Sequence, residues 1–234
     1  MKMKQKLVAG AIALSAMAGF SVPAVHAAEV AASVGASNMY YWRGFDLGGG
    51  AALIGDINVS SNGFIAGLWT SSGDDASVDG LGGTEYDIYV GYSGSAGDFS
   101  YGVSVVSYVY PTLGEETEEG APSAVKPGEY VEVIPFIGYG PFKVTYYDAV
   151  VADHAPLADE DYSYVTAELN FEKFGFKYGQ HMDDVGVVDG ISHIDATYKY
   201  NDKLSFTVGK IIDDNDGAVD DEVNVVVTLS LPIM

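Results

Sequence analysis

The sequence predicts an all-β fold, a single transmembrane antiparallel up-and-down β-barrel of about 12 strands. Three observations predict this fold. Apolar and polar residues alternate after residue 28, which is the pattern of strands with two unlike faces. The breaks between these segments alternate between short turns with little charge and longer acidic stretches, as in a barrel with two different ends. The N-terminus has the features of a secretory signal.

The N-terminal segment predicts export. Lys2, Lys4 and Lys6 precede an apolar run at residues 7–20, and small residues then lead to a cleavage position after Ala27. The run is shorter than the ~20 residues of a spanning helix, so an uncleaved anchor is the weaker alternative. We therefore expect residues 1–27 to be a cleaved signal peptide and residues 28–234 to form one barrel in the bacterial outer membrane.

Composition excludes several classes of function. Residues 28–234 carry 8 basic and 33 acidic residues, a formal charge of −25, which argues against binding to nucleic acid. The chain has no cysteine, so disulfide bonds and thiol chemistry are excluded. Its 17 tyrosines and 10 phenylalanines argue against disorder. No pattern indicates a cofactor.

Twelve segments have the length and alternation of membrane-crossing strands. Two of the breaks between them are turn dipeptides, Asn62-Gly63 and Gly140-Pro141. The predicted strands are 30–43, 51–61, 64–71, 84–93, 99–110, 129–139, 142–149, 162–171, 174–181, 191–200, 204–212 and 222–231.

The connections divide into two sets. The short set comprises residues 61–63, 94–98, 140–141, 172–173 and 201–203. The other set is mostly longer and acidic, and we expect it outside the cell, with both termini in the periplasm. Its acids are Asp74, Asp75, Asp79, Glu115, Glu116, Glu118, Glu119, Asp153, Asp159, Glu160, Asp161, Asp183, Asp184, Asp189, Asp213, Asp214, Asp216, Asp220 and Asp221.

The two faces of the strands distinguish a barrel from a soluble β-sandwich, the main structural alternative. The face that is apolar without interruption includes Ile88 and Val90 in one strand and Val225 and Val227 in another. The opposite face is small or polar. A sandwich has this polar face towards water and would bury many tyrosines, whose hydroxyls need partners. The pattern therefore favours an apolar face towards lipid and a polar face towards a lumen.

Four motifs, in order, resemble the TorF-type porin family of proteobacterial outer-membrane barrels. They are residues 37–44 (SNMYYWRG), 64–70 (FIAGLWT), 85–92 (EYDIYVGY) and 137–142 (IGYGPF), and the resemblance spans most of residues 28–234. The resemblance implies a small outer-membrane barrel with porin function and a poorly known substrate.

Strand alternation also assigns the lumen. We expect twelve charged or titratable side chains to face inward and to influence ion selectivity. They are Arg43, Asp56, Glu85, Asp87, Glu132, Lys143, Glu168, Lys177, His181, His193, Asp195 and Lys199. Arg43 is the only arginine of the chain, and we expect it to pair with Asp56 or Glu85 from neighbouring strands. Such a pair would either form a selective constriction or brace the barrel.

Two further chemistries are weaker hypotheses. His181, His193 and Asp195 could bind a transition metal. Ser192 and His193 suggest a lipid hydrolase, but neighbours on a strand point to opposite faces, and we therefore expect that the chain is not an enzyme. The run Asp213-Asp214-Asn215-Asp216-Gly217 does not fit an EF-hand, although loose divalent binding at Asp213, Asp214 and Asp216 is an open alternative.

These patterns predict a passive, weakly cation-preferring porin for small solutes. The alternative is a non-conducting structural barrel whose acidic loops bind divalent cations and lipopolysaccharide. The expected partners are outer-membrane lipid, lipopolysaccharide, the barrel-assembly machinery and small solutes, with no nucleic acid.

Overall fold

The structure, a computed structural model, describes residues 28–48, 50–72, 83–111, 124–152, 162–182, 188–214, 217, 219 and 221–233. The predicted signal peptide, residues 1–27, lies outside the described residues. So do many of the predicted loop acids. These are Asp74, Asp75, Asp79, Glu115, Glu116, Glu118, Glu119, Asp153, Asp159, Glu160, Asp161, Asp183, Asp184, Asp216 and Asp220.

The described residues form one closed antiparallel barrel of twelve strands, which confirms the predicted fold class. Two further two-residue strands, β2 and β3, form a separate small sheet. The strands are β1 Glu29–Ser37, β2 Tyr41–Trp42, β3 Phe45–Asp46, β4 Ala52–Ser61, β5 Phe64–Ser71, β6 Glu85–Ala96, β7 Phe99–Val109, β8 Tyr130–Tyr139, β9 Phe142–Ala152, β10 Ser163–Asn170, β11 Phe174–Met182, β12 Ser192–Lys199, β13 Leu204–Asp213 and β14 Val223–Pro232.

Each barrel strand pairs with its neighbours in the chain, and β1 closes the ring by pairing with both β4 and β14. One end of the barrel has the tight turns at residues 62–63, 97–98, 140–141, 171–173 and 200–203, and we call it the short-turn end. The opposite end, where β1 ends and β4 begins, is the long-loop end. Among the described residues, no helix is long and apolar enough to span a membrane.

The two faces of the wall differ as the alternation predicts. Ile88, Val90 and Val225 are 42%, 51% and 50% exposed on the outside, whereas Glu85 and Asp87 are 1% exposed. Aromatic side chains are concentrated on the outside near the short-turn end, where a membrane interface is expected. They include Phe64, Tyr92, Phe99, Tyr101, Tyr139, Phe142, Phe171, Phe174, Tyr198 and Tyr200.

The largest departure from the predicted strands concerns the first one. We expected it to continue to Arg43, but β1 ends at Ser37. Asn38 then bonds to the backbone of β14, its Nδ2 donating to the Val225 carbonyl at 2.9 Å and its Oδ1 accepting from the Val227 N–H at 2.6 Å. These bonds take the place of further ladder pairing, and the chain turns into the lumen.

Candidate functional site

Residues 40–47 form a hairpin inside the barrel, which we call the inner hairpin. Its strands β2 and β3 pair through Tyr41 with Asp46 and Trp42 with Phe45. The Leu47 N–H donates to the Tyr40 carbonyl at 2.8 Å and closes the base. The turn residues Arg43 and Gly44 have φ angles of 45° and 101°, and a two-residue turn of type I′ needs positive φ at both positions.

Arg43 at the tip of the inner hairpin forms a buried ion pair with Glu132 of β8. Its Nη1 and Nη2 donate to Glu132 Oε1 and Oε2 at 2.9 and 2.6 Å. The two side chains are 6% and 0% exposed. Glu132 also accepts hydrogen bonds from Tyr108 at 2.7 Å and Tyr130 at 3.3 Å. This carboxylate is therefore fully used, in the bidentate geometry that suits arginine.

Aromatic rings surround the same guanidinium. The Arg43 Cζ lies 4.5 Å from the ring centres of Trp42 and Tyr147, 4.8 Å from that of Tyr164 and 5.6 Å from that of Tyr162. These distances are in the range of cation–π attraction, which is stronger where water is excluded. The charge is thus held by one carboxylate and by rings from the walls and from its own hairpin.

The prediction that Arg43 pairs with Asp56 or Glu85 is wrong. That prediction assumed that Arg43 belongs to the wall, where it would lie beside β4 and near β6. Because the chain leaves the wall after Ser37, Arg43 reaches Glu132 instead.

The flanks of the inner hairpin bind two other walls. The Tyr40 hydroxyl donates to Glu85 of β6, which also accepts from Tyr110 at 3.1 Å. The Tyr41 hydroxyl donates to Asp195 Oδ1 of β12 at 2.7 Å. Three carboxylates on β6, β8 and β12 therefore hold three hairpin residues, and β6 and β12 lie on opposite sides of the ring.

Two fully buried histidines complete the cluster. His181 Nε2 lies 2.8 Å from the Arg43 carbonyl oxygen, and its Nδ1 lies 3.0 Å from the Tyr162 hydroxyl. His193 Nδ1 lies 3.0 Å from Asp195 Oδ1, and its Nε2 lies 2.7 Å from the hydroxyl of Tyr164. The ring centres of the two histidines are 6.5 Å apart.

Glycines on the inner face provide space for these rings. A Cβ at Gly209 would collide with the Tyr41 hydroxyl, and one at Gly179 would collide with Tyr164 and His193. Close approach of this kind is a recognised use of glycine within a strand. The cluster depends on positions without a side chain as much as on its polar residues.

The rest of the predicted lumen residues lie mainly towards the short-turn end. Lys143 Nζ is 3.3 Å from Glu168 Oε1, and Lys177 Nζ is 3.9 Å from Asp195 Oδ2. In a separate group, Asp56 accepts from Asn58 at 2.7 Å and from Tyr89 at 2.9 Å.

Four predicted residues have other positions. Asp87 is 1% exposed and lies on the inner face of β6, two residues nearer the short-turn end than Glu85. Lys199 is exposed at the end of β12. Asp213 ends β13 and Asp214 follows it, and among the described residues no group of three or more His, Cys, Asp or Glu is placed to hold a metal ion. Divalent binding at this run stays a prediction.

Sequence reasoning missed the buried tyrosines of the cluster. Tyr108, Tyr162 and Tyr164 are 2% exposed or less, but none of them is among the twelve side chains that we expected to face the lumen. Tyr108 could have been identified, because Val103 and Val105 face outward and strand alternation then turns Tyr108 inward.

A family of bacterial proteins of unknown function, Gcw_chp, matches residues 22–217 of the chain. The chain belongs to this family. The resemblance to TorF-type porins is not confirmed by the match to the Gcw_chp family and stays a prediction. A search of curated proteins found no significant match.

Two solved barrels are similar to this one. Outer membrane phospholipase A from Escherichia coli has 8% identity and a TM-score of 0.42 over 86% of this chain and 91% of that chain. The dimeric outer membrane phospholipase of Salmonella typhi with bound calcium has 8% identity and a TM-score of 0.42 over 86% and 89%.

These structures correct one prediction. The expectation that the chain is not an enzyme is withdrawn, since the two solved barrels with a similar fold are phospholipases. At 8% identity the likeness concerns the fold, and it assigns no catalytic residue to this chain. The protein is a closed twelve-strand β-barrel that resembles outer-membrane proteins.

Proposed function

We propose that the protein is an outer-membrane porin that passes small solutes when the inner hairpin leaves the lumen. The observation that carries this proposal is the polar lining of a closed barrel whose outside is apolar. The polar lining continues from the hairpin towards the short-turn end with Lys143, Glu168, Lys177 and Asp195. Buried charges are costly, and a barrel with a purely structural role could fill the same space with apolar side chains.

The resting state in this proposal is closed. The side chains of Glu132, His181 and His193 around the hairpin are not exposed to solvent. In this proposal conduction requires the hairpin to move, because these side chains are closed to solvent where they meet it. The wall itself needs no rearrangement, since the inner hairpin, residues 40–47, takes no part in the barrel ladders.

We further propose a weak preference for cations. The inward positions predicted from sequence comprise six carboxylates and four permanent cations. Acidic residues also lie at the long-loop end, where they raise the local concentration of cations and depress that of anions. Among the described residues of this end, Asp189, Asp213 and Asp221 are exposed. Exposed charges lose influence as the Debye length falls from ~10 Å at 0.1 M salt to ~3 Å at 1 M.

The second candidate is a non-conducting structural barrel, with acidic loops that bind lipopolysaccharide through divalent cations. The dense packing around Arg43 favours it, because so many bonds to one hairpin would suit a permanent brace. Lipid, lipopolysaccharide and the barrel-assembly machinery are proposed partners under both candidates, and small solutes under the first alone.

Single-channel recording in planar bilayers tests the first proposal. The key variant replaces residues 40–47 with alternating glycine and serine, and Asp202→Ser in an exposed short turn is the matched control. We expect the replaced variant to conduct continuously and the wild type and control to be mostly closed. Reversal potentials under a KCl gradient should show cation preference that weakens from 0.1 to 1 M. A replaced variant that folds into bilayers without conducting would favour the structural candidate.

A further inference from the structure

The contacts of His181 define its protonation state in the closed barrel. A carbonyl oxygen only accepts, so His181 Nε2, 2.8 Å from the Arg43 carbonyl, carries a hydrogen. A guanidinium only donates, so the Tyr162 hydroxyl oxygen accepts from Arg43 Nη1 at 2.9 Å. The Tyr162 proton then points to His181 Nδ1 at 3.0 Å. A ring of three hydrogen bonds thus joins the Arg43 side chain to its own backbone.

Only neutral His181 completes this ring. A protonated imidazole has donors on both nitrogens, so Nδ1 and the Tyr162 hydroxyl would each direct a hydrogen at the other. Tyr162 would have to turn its proton away while still accepting from Arg43. A second positive charge would also stand beside the Arg43 guanidinium in a site without solvent, where repulsion between like charges is strong.

The surrounding groups offer little compensation for that charge. From the inner hairpin, His181 faces Arg43, whose carboxylate partner is Glu132 of β8. The other titratable groups packed around it are Tyr162, Tyr164 of β10, and His193 of β12 with its partner Asp195. Both nearby carboxylates are already engaged, one by Arg43 and the other by His193 and Tyr41.

His193 is a contrasting case in the same cluster. Its Nδ1 lies 3.0 Å from Asp195 Oδ1 and donates to that carboxylate, so the positive charge of a protonated His193 would lie directly beside a negative charge. It also contacts the hairpin, because a Cβ at Gly44 would lie 3.0 Å from the His193 ring. The two histidines are equally buried but differ in the charge that faces them, which makes His193 a matched control.

We propose that protonation of His181 releases the inner hairpin, so that the barrel is a channel opened by acid. This inference rests on the proposed porin function. In the released state His181 meets water and titrates as an ordinary histidine, near pH 6.5. Since the closed state holds His181 neutral, opening takes up one proton. Each pH unit below about 6.5 therefore favours the open state by up to tenfold.

Single-channel recording between pH 7.5 and 4.5 tests the gate. We expect the opening frequency of the wild type to rise by up to about 100-fold from pH 6.5 to 4.5. His181→Gln keeps a donor and an acceptor but takes up no proton, so its opening frequency should not depend on pH in this range. His193→Gln should retain the rise. A rise that survives in His181→Gln, or that disappears in His193→Gln, would overturn the assignment.

A second readout follows the hairpin without conductance. The chain has two tryptophans, and Trp69→Phe leaves Trp42 of the inner hairpin as the sole indole. Release moves Trp42 from its contacts with Arg43 and His181 into water, and its emission should shift to longer wavelength as the pH falls. The shift should be absent when His181→Gln is added to the same background.

The variant with residues 40–47 replaced separates this inference from the proposed function. If it conducts at every pH while the wild type is closed at pH 4.5, the porin proposal stands and the acid gate is overturned. If the replaced variant conducts at no pH, the porin proposal itself fails. The Trp42 emission could also depend on pH in a barrel that never conducts. That result would support release of the hairpin by acid but would refute the porin function.

Discussion

Loss of the Glu132 charge should weaken docking of the inner hairpin severely. Glu132 is 0% exposed and accepts four hydrogen bonds, two from Arg43 and one each from Tyr108 and Tyr130. In Glu132→Gln an amide group replaces one of the accepting oxygens, and the buried Arg43 charge loses its counter-ion. Removal of one partner from a buried ion pair costs ~3–5 kcal/mol, and we expect a loss of that size.

A double-mutant cycle identifies the source of the loss. Arg43→Met alone leaves Glu132 as an uncompensated buried charge, and its cost should be similar. The double variant contains neither charge, so it should cost less than the sum of the single costs by at least ~2 kcal/mol. Additive costs would mean that the two side chains do not interact as the structure has them.

Urea titration with two probes measures these costs. In the Trp69→Phe background, Trp42 emission reports the inner hairpin, and far-ultraviolet circular dichroism reports the barrel wall. The Trp42 transition should move to lower urea in Glu132→Gln, while the wall transition should move less. Glu172→Gln, at an exposed turn, is the control and should change stability by less than ~0.5 kcal/mol. A cost below 1 kcal/mol for Glu132→Gln would refute the reasoning.

Three further outcomes are expected. Gly209→Ala should displace Tyr41 from Asp195 and raise the opening frequency at neutral pH, whereas Gly175→Ala, with more space, should not. Val225→Arg on the outer face should cost ~2–4 kcal/mol in the unfolding free energy, and Asn58→Arg on the inner face should cost less. The reverse order would mean that the faces are exchanged. A tag at Gly120 should be labelled on intact cells and a tag after Gly140 should not, and equal labelling would contradict the proposed orientation.

Most of the wall could be predicted from sequence because its determinants are local. The pair 129–139 and 142–149 was expected around Gly140-Pro141, and the structure has Tyr130–Tyr139 and Phe142–Ala152. A tight turn defines the register of both its strands, and period-two alternation then assigns every face. Ends near the long connections are less well determined, as the longer end of β9 shows.

The inner hairpin could not be predicted because its local pattern continues that of β1. Tyr41 and Arg43 alternate with Trp42 in the same period as the preceding residues, so nothing in the segment marks the end of the wall strand. The end of the wall strand is instead determined by tertiary contacts. Asn38 bonds to β14, which lies almost 190 positions away along the chain, and Arg43 finds its carboxylate on β8.

The histidine cluster could be predicted in part from the sequence. His181, His193 and Asp195 were grouped from sequence because neighbouring antiparallel strands bring their inward positions together, and the structure places the two rings 6.5 Å apart. The hydrogen bonds of His181 could not be predicted, because they depend on the Arg43 carbonyl, which only the hairpin brings to His181. An interpretation based on wall residues alone led to a metal or a catalytic group.

The bonds that hold the inner hairpin in the lumen are different from those that hold the wall together. Tyr40, Tyr41 and Arg43 lie within four positions of each other and contact carboxylates on three different strands, so the hairpin is anchored towards the barrel axis rather than along one wall. The ladders that close the ring do not include it. A few side-chain bonds can therefore break while every backbone hydrogen bond of the wall is kept, which is the property that a channel with a removable obstruction needs.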